Sequence, residues 1–214
     1  MKIIMLGPQG SGKGTYASRL SPILGIPHIS PGEIFRENIT EKTELGKKVK
    51  KFFNSGLLVP DDVTIEIIKE RLKKPDCEKG FIFDGFPRTI EQAEELEKID
   101  TPDVVIYLDV PEWLLIKRLS SRVICEKCGK IYNILNVKPK KEGICNKCKG
   151  KLIQREDETP EAIKMRLKEY EEKTKPILKF YEKKGIVKRF FNDRFNLSPE
   201  EGVNKILEIL GMRK

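Results

Sequence analysis

The sequence is short of aromatic residues and of long hydrophobic runs. It has one histidine and one tryptophan in 214 residues, and aromatic residues make up 7% of the chain. No apolar stretch approaches the roughly 18 to 20 residues that a membrane-spanning helix needs. The first residues also lack the pattern of a secretory signal peptide. We therefore expect a soluble, cytoplasmic protein that has no membrane partner.

The charge is high, but it is not gathered in one place. Lysine and arginine outnumber aspartate and glutamate by 42 to 33, which gives a net charge of +9. Lysines stand beside glutamates in segments such as residues 168–173, a pattern typical of a solvated helix face. The chain lacks a contiguous basic stripe interleaved with aromatic residues, which would indicate a nucleic-acid surface. We predict no nucleic-acid partner.

A glycine-rich segment follows the first apolar run. Residues 3–6 are Ile-Ile-Met-Leu, and residues 7–15 are Gly-Pro-Gln-Gly-Ser-Gly-Lys-Gly-Thr, ahead of a helical pattern. Between a strand and a helix, glycines let backbone N–H groups converge on an anion, while Lys13 and the helix N-terminus add positive charge. Gly14 stands where the usual pattern has a hydroxyl residue, and Thr15 supplies the hydroxyl instead. The segment indicates a nucleotide-phosphate site; the alternative is a tight turn that binds nothing.

Apolar strand patterns alternate with amphipathic helix patterns along most of the chain. Such alternation predicts an α/β fold of the P-loop type, with a parallel five-stranded sheet covered by helices on both faces. Strands are predicted near residues 3–6, within 25–29, and near 81–84, 104–109 and 186–191. Helices are predicted at 12–24, within 31–54 (two), and at 61–73, 89–99, 111–121, 160–184 and 198–210. Two stretches depart from this alternation and are predicted to be inserts. The first is polar and helical and lies over the sheet edge. The second, at 122–158, is small, rich in Lys, Gly and Cys, and is expected to be β-rich.

Several local signals fix the expected helix ends. Ser30 with Glu33, and Ser198 with Glu201, match the capping-box pattern in which each side chain bonds the other residue's backbone N–H. Pro176 is expected to kink the helix at 160–184, because proline has no N–H to donate.

Polar residues cluster where the third predicted strand ends. Asp84 closes that strand, at the sheet edge where ligands bind in parallel sheets, and its carboxylate could hold Mg²⁺ directly or through water. Arg88 could bind a phosphate bidentately. Gln92 has the donor and acceptor needed to recognise a base edge. The alternatives are an Asp84 that caps a turn and a Thr89–Gln92 capping box.

Arginines are few, and several of them fall where the predicted inserts meet the sheet. Phosphoryl transfer spreads negative charge over the moving group, and arginine or lysine stabilises that charge. Arg118 and Arg122 are four residues apart, so we expect them on one face of a helix end; the alternative is that they cap its carbonyls. The candidate cations are Arg36, Arg88, Arg118, Arg122, Arg155 and Arg166.

Four of the five cysteines have metal-ligand spacing. They form two C-x-x-C pairs separated by sixteen residues, an arrangement that suits a closed, structural Zn²⁺ site. A redox dithiol and an iron site are the alternatives. We interpret Cys77 as a buried structural thiol, and His28, which is far from the pairs in sequence, as a packing or surface residue. The pairs are Cys125–Cys128 and Cys145–Cys148.

Together these motifs resemble the adenylate kinases, in the form with a long zinc-binding lid. The shared features are the G-K-G-T loop at 12–15, Asp-Gly-Phe-Pro-Arg at 84–88, Arg-x-x-x-Arg at 118–122 and the four-cysteine insert, in family order. The resemblance implies the reaction Mg·ATP + AMP ⇌ 2 ADP, with structural Zn²⁺ in the lid, Mg²⁺ carried with ATP, and a monomeric enzyme. It implies a core of 1–29, 60–121 and 160–214, a monophosphate-binding insert at 30–59 and a lid at 122–159.

The resemblance also implies residue roles. Lys13 and the loop hold the ATP phosphates, Gln92 recognises adenine, and Asp84 orients Mg²⁺ through its waters. The implied ATP-binding residues are Gly10, Ser11, Gly12, Lys13, Gly14, Thr15, Arg118 and Arg122. The implied AMP-binding residues are Ser30, Pro31, Arg36, Gly85, Arg88, Gln92, Arg155 and Arg166. The implied catalytic residues are Lys13, Asp84, Arg88, Arg122, Arg155 and Arg166, and the metal ligands are Cys125, Cys128, Cys145 and Cys148.

Two positions depart from the family pattern. Pro31 stands where the family usually has threonine, which removes a hydroxyl near the monophosphate base, and Val123 replaces a frequent second arginine. The alternatives within enzymes are a kinase for another monophosphate and one that uses GTP. Outside this class, the alternatives are a P-loop ATPase whose zinc knuckles bind nucleic acid and a scaffold without turnover.

Overall fold

The computed structural model describes residues 1–154 and 159–212. The central strands, in chain order, are β1 (Lys2–Leu6), β2 (His28–Ile29), β3 (Phe81–Asp84), β4 (Val104–Asp109) and β8 (Val187–Phe191). They pair in the order β2–β3–β1–β4–β8, and every pairing is parallel. The predicted five-stranded parallel sheet is therefore confirmed. Because β1 and β3 are neighbours, the glycine-rich segment and Asp84 leave the sheet side by side.

Helices cover both faces of this sheet. Alternate residues of β1 belong to opposite cores, because successive side chains of a strand point to opposite faces. Ile3 and Met5 pack with the first and last helices, whereas Ile4 and Leu6 pack on the other face. This double burial explains the uninterrupted apolar runs. The helices are α1 (Lys13–Leu24), α4 (Asp61–Leu72), α5 (Ile90–Ile99), α6 (Glu112–Ser120), α8 (Lys175–Glu182) and α9 (Pro199–Ile209), with a 3₁₀ turn at Pro75–Cys77.

The first insert consists of two short helices, as predicted. They are α2 (Pro31–Thr40) and α3 (Glu44–Asn54), which pack around Phe35 and Val49. The predicted capping box of Ser30 and Glu33 is wrong. Ser30 is the N-cap residue, but its side chain accepts no hydrogen bond from the first turn. Its backbone carbonyl takes the N–H groups of Glu33 (3.0 Å) and Ile34 (3.1 Å) instead. The other predicted box, of Ser198 and Glu201, is present.

The second insert contains a small antiparallel sheet. Its strands, β5 (Arg122–Cys125), β6 (Ile131–Asn133) and β7 (Leu152–Ile153), pair in the order β6–β5–β7. Arg122 therefore lies on a strand, and the prediction that it shares a helix face with Arg118 is wrong. The helix α6 ends earlier because the side chains of Ser121 and Asn133 satisfy its last carbonyls. Ser121 Oγ donates to Lys117 O (2.6 Å), and Asn133 Nδ2 donates to Arg118 O (3.1 Å).

The predicted single helix at 160–184 is interrupted. It consists of α7 (Pro160–Glu169), a π-helical turn (Tyr170–Thr174) and α8. The interruption comes before Pro176 and is a widened turn rather than a kink at the proline. Proline has no N–H to donate back along the helix, and the wider turn lets the chain continue past it. Across the described ranges 1–154 and 159–212, no helix is long and apolar enough to cross a membrane.

Candidate active site

The loop of residues 7–15 carries β1 into α1. Gly10 and Gly12 adopt φ values of 83° and 103°, a left-handed conformation that other residues rarely adopt. The side chain of Lys13 folds into the loop, where Nζ donates to Gly7 O (2.7 Å) and Pro8 O (2.9 Å). The ammonium group therefore lies within the backbone cradle that the sequence pattern predicts. Ser11, Gly14 and Thr15 complete the loop and the first turn of α1.

The electrostatic environment of Lys13 involves three other candidate residues. Burial lowers its pKa from 10.5 to about 8; Asp84 opposes this shift, whereas Arg88 and Arg122 add to it. These groups therefore lie within one another's field, although they come from β3, the loop after β3, and β5. The fold brings together positive charges from separate segments beside one carboxylate, an arrangement suited to polyphosphate.

Asp84 has a partner that the sequence analysis missed. His28 Nε2 lies 3.5 Å from Asp84 Oδ2, and only 12% of the His28 side chain is exposed. Burial raises the pKa of Asp84, but His28, Lys13 and Arg88 lower it by more, so the net shift is downward. Burial lowers the pKa of His28, but Asp84 and Glu33 raise it by more. The interpretation of His28 as a packing or surface residue is wrong, because the pairing of β2 with β3 brings it into the site.

The contact between Gly14 and Asp84 explains why glycine separates Lys13 from Thr15. A Cβ atom at position 14 would lie 2.8 Å from Asp84 Oδ2, closer than side-chain contacts allow. Any residue other than glycine would displace either the carboxylate or the first turn of α1. The departure from the usual loop pattern is thus a steric requirement of Asp84.

The loop after β3 holds Arg88 through its own backbone. Gly85 has a φ of 74°, and the Phe86–Pro87 peptide bond is cis. Arg88 Nε donates to Gly85 O (2.7 Å), and a Cβ at position 85 would lie 2.7 Å from Arg88 Nη2. Gly85 is therefore needed to let the guanidinium lie across the turn.

Side chains bind both backbone polar groups of Arg88. Its N–H donates to Gln92 Oε1 (2.7 Å), and its carbonyl accepts from Thr174 Oγ1 (2.9 Å), in the π-helical turn. The Thr89–Gln92 capping box is half formed. Thr89 Oγ1 caps α5 by accepting the N–H of Gln92 (3.1 Å), but the Gln92 side chain bonds the residue before Thr89. Gln92 Nε2 donates to Asp61 Oδ1 (2.6 Å), a residue that sequence analysis treated only as a helix start.

Ser30, Pro31 and Arg36 gather at the end of β2, next to the strand that ends at Asp84. A Cβ on Gly32 would lie 3.5 Å from Arg36 Nη2 and 3.8 Å from Ser30 Oγ. Pro31, the first residue of α2, is buried. The Arg36 guanidinium also lies 5.8 Å from the centre of the Phe53 ring, on α3.

The remaining arginines lie at the margins of the loop and the inserts. Arg118 Nη1 donates to Ser11 O (3.4 Å), and burial lowers the pKa of Arg118. Arg166, on α7, lies beside the end of α3: a Cβ on Gly56 would meet Ala162 O at 2.9 Å and Arg166 Cγ at 3.4 Å. Arg155, a predicted site residue, lies outside the described residues.

The four paired cysteines converge in the small sheet. Their Sγ atoms all lie within 4.8 Å of one another; Cys125 is 3.3 Å from Cys148, and Cys128 is 3.6 Å from Cys145. A tetrahedral ion with Zn–S bonds of about 2.3 Å requires sulfur atoms about 3.8 Å apart, so the cluster fits one such ion. Burial raises the pKa of Cys145, but hydrogen bonds from Tyr132 and backbone N–H groups lower it by more, to about 5. Cys77 is buried and separate, 2.9 Å from Arg71 Nη1.

Comparison with known proteins identifies the family. A family model described as "Adenylate kinase" matches residues 5–186. The adenylate kinase of Thermotoga maritima is 46% identical over 98% of this chain and 96% of its own. The chain belongs to the adenylate kinase family. The adenylate kinase of Kosmotoga olearia is 50% identical over 86% of this chain and 88% of its own length. The adenylate kinase of Thermosipho melanesiensis is 46% identical over 98% of this chain and 99% of its own length.

Membership of the adenylate kinase family agrees with the geometry. The glycine-rich loop, Asp84 and Arg88 belong to adjacent strand ends of an α/β core, and the four cysteines form a potential metal site in a separate small sheet. The predicted P-loop fold is confirmed, and the four clustered cysteines support the predicted zinc-lid form. The reaction class, ATP:AMP phosphotransfer, follows from the family.

Proposed function

We propose that the residues around the loop carry out the family reaction, Mg·ATP + AMP ⇌ 2 ADP, with ATP on the loop side and AMP on the Arg88 side. The supporting observation is that Lys13 lies inside the loop, within the field of Asp84, Arg88 and Arg122. Lys13 and the backbone N–H groups of the loop would bind the ATP phosphates, Thr15 would lie near the metal, and Arg118 would pack on the base. The loop residues are Gly10, Ser11, Gly12, Gly14 and Thr15.

On the acceptor side, Arg36 and Arg88 would bind the AMP phosphate. Gln92 would recognise adenine, and Gly85 would let the base approach the backbone. Ser30 and Pro31 would border the base, where a proline offers no hydroxyl. The fixed backbone of Arg88 supports this assignment, because a phosphate ligand must be held still while the acceptor oxygen is aligned with the donor phosphate.

The two inserts would close over the reacting phosphates. We propose that residues 30–59 bind the monophosphate and that residues 122–159 form a lid, on a core of 1–29, 60–121 and 160–214. Closure would bring Arg122, Arg155 and Arg166 to the transferring phosphoryl and exclude water, which would otherwise compete as acceptor. The protein supplies alignment and positive charge, and no covalent intermediate is needed.

Two metals belong to this proposal. Asp84 would orient the waters of Mg²⁺ carried with ATP, and the ion would neutralise charge on the phosphates. Zn²⁺ would bind the four cysteines as a structural ion, because four thiolates leave no open coordination position. We also propose a cytoplasmic location, because cysteines at metal-ligand spacing are typical of a reducing compartment, and a monomer, as the resemblance implies.

A substrate panel tests the proposal. The purified protein should use ATP with AMP in preference to other nucleoside monophosphates, and ATP in preference to GTP as donor. Arg88→Ala should lower turnover by about 100-fold or more while the melting temperature stays close to that of the original protein. Arg189→Ala, which removes a half-exposed arginine from the edge strand β8, is the matched control. Near-normal activity of Arg88→Ala, or a polynucleotide-stimulated ATPase, would refute the assignment.

A further inference from the structure

Asp61 bridges two residues of the loop that follows β3. It is the first residue of α4, immediately after the first insert. Its Oδ1 accepts from Gln92 Nε2 (2.6 Å), and its Oδ2 accepts from Thr89 Oγ1 (2.8 Å). Both carboxylate oxygens are therefore engaged by residues 28 and 31 positions away in sequence. A helix-start aspartate needs neither contact, since its charge alone favours the first turn.

The two partners of Gln92 fix the orientation of its amide. The backbone N–H of Arg88 can only donate, so it requires the amide oxygen. The Asp61 carboxylate can only accept, so it requires the amide nitrogen. Rotating the amide by half a turn would set N–H against N–H and oxygen against oxygen. Because the residue is only 2% exposed, water cannot relieve either clash.

A fixed amide presents a fixed order of hydrogen-bonding groups. Among the described residues, the contacts of the amide use one lone pair of Oε1 and one N–H of Nε2, so one of each remains. Adenine offers an amino donor beside a ring-nitrogen acceptor, which matches an oxygen beside an N–H. Hypoxanthine has the same ring shape, but it has an acceptor where adenine has the donor and a donor where adenine has the acceptor.

We propose that Asp61 is a specificity-determining positioning residue: it fixes the amide of Gln92 in the order that accepts adenine and rejects hypoxanthine. The proposal rests on the proposed function, in which Gln92 faces the base of the monophosphate. Asp61 itself need not touch the substrate. It acts through Gln92, and its contribution is selectivity between bases rather than turnover.

The test compares AMP with inosine monophosphate as acceptors, at saturating ATP. Asp61→Ala should lower the ratio of kcat/KM for AMP to kcat/KM for inosine monophosphate by about tenfold, the scale of one lost bidentate contact. Asp61→Asn should preserve the ratio, because its amide oxygen can accept from Gln92 while its N–H donates to the Thr89 hydroxyl. Asp62→Ala is the matched control, an exposed aspartate in the same first turn.

The outcomes distinguish failure of the proposed function from failure of the role of Asp61. If the original protein shows no preference for AMP, the proposed function fails. If it prefers AMP and Asp61→Ala leaves the ratio unchanged, only the role of Asp61 is refuted. An equal fall in kcat/KM for AMP and for inosine monophosphate would also refute it. That result would indicate that Asp61 supports the backbone of Arg88 and does not determine base selectivity.

A double variant provides a second test in case Asp61→Ala does not fold. In Asp61→Asn with Gln92→Glu, the asparagine N–H can donate to one glutamate oxygen and Arg88 N–H to the other, so both buried contacts persist. The side chain of residue 92 then offers only hydrogen-bond acceptors to the base. We expect kcat/KM for AMP to fall about tenfold or more relative to Asp61→Asn. The ratio of kcat/KM for guanosine monophosphate to kcat/KM for AMP should rise. Full kcat/KM for AMP in this double variant would refute recognition of adenine by Gln92 and, with it, the role of Asp61; a loss here beside an unchanged ratio in Asp61→Ala would refute the role of Asp61 alone.

Discussion

Lys13, the proposed ligand of the ATP phosphates, is buried in the loop, and we expect this burial to lower the stability of the protein without nucleotide. The burial that lowers its pKa to about 8 penalises the charged side chain in the folded protein relative to the unfolded one. Between pH 8 and pH 10.5 the unfolded chain binds more protons at this residue than the folded chain does. The contribution of Lys13 to the free energy of unfolding therefore becomes more favourable as pH rises through that window.

Replacing Lys13 should separate activity from stability. Lys13→Met should lower turnover by about 100-fold or more, because a cation at the transferring phosphates is lost. At pH 7 the same variant, without nucleotide, should melt a few degrees higher than the original protein. The difference in melting temperature should shrink as pH rises from 8 towards 10.5. Coupled assays and thermal melts measure the two effects, and a lower melting temperature at pH 7 would contradict the second.

Residues that a sequence motif specified lie close together in the fold. Lys13, Asp84 and Arg88 belong to two short patterns, and the fold brings them together. His28 and Asp61 were missed because their partners are distant in sequence: Asp84 reaches His28 through strand pairing, and Gln92 reaches Asp61 through helix packing. Arg122 was placed on a helix because a four-residue spacing does not reveal where the helix ends. The capping interactions of Ser121 and Asn133 determine that end.

Among the elements, the π-helical turn Tyr170–Thr174 links the helix that follows the lid to the Arg88 loop. Thr174 is buried, and its hydroxyl is the donor to the Arg88 carbonyl. A regular helix over the same residues would rotate this hydroxyl away, because each turn would contain fewer residues. The irregularity therefore places a side chain that the loop needs.

Thr174→Val should loosen Arg88 while keeping the shape of the side chain. We expect a severalfold increase in KM for AMP, little change in KM for ATP, and a loss of about 1 to 2 kcal/mol of stability from the unpaired carbonyl. Thr174→Ser should retain the hydrogen bond and most of the affinity for AMP. Glu172→Ala, an exposed change in the same turn, is the control. An equal increase in KM for both substrates would count against this link.

The four-cysteine sheet is expected to depend on its metal. The protein should contain about one zinc per chain, and chelation should melt residues 122–159 at lower temperature while the core still binds nucleotide. Cys145→Ser should lose zinc, whereas Cys77→Ser should keep it, because Cys77 is not one of the four clustered cysteines. Elemental analysis and calorimetry decide the matter: iron in the site, or metal-free protein that melts like the loaded form, would refute a structural zinc.

Most elements were predictable because burial imposes a clear period on strands and helices. Double burial made the central strands continuous apolar runs, and their parallel pairing was expected from the alternation of strands and helices. The π-helical turn could not be predicted, because a contact with Arg88, 86 residues away, accompanies it. The second insert was expected to be β-rich, but the pairing of its strands was not predicted, since metal ligands and turns, rather than periodicity, define the sheet.

For the whole molecule, binding both substrates should close the two inserts on the core. A single ligand that joins two adenosines through a polyphosphate spans both proposed sites and should bind far more tightly than either nucleotide alone. Small-angle scattering should show a smaller radius of gyration with this ligand than without it. Amide exchange should slow in residues 30–59 and 122–159 but change little in the central strands. Unchanged scattering with saturating ligand would contradict closure.

The close approach of Gly56 to Ala162 has a consequence for building hybrid enzymes. The end of the first insert and the first turn of α7 meet with no room for a Cβ between them. Segments exchanged with a relative therefore cannot be cut at the inserts alone. If the lid and α7 are taken from a relative, the recipient must have glycine at position 56. If the first insert is taken from a relative, that insert must itself contain the glycine. We expect hybrids that take Gly56 and Ala162 from different parents, without glycine at position 56, to be misassembled even when each segment comes from a folded protein.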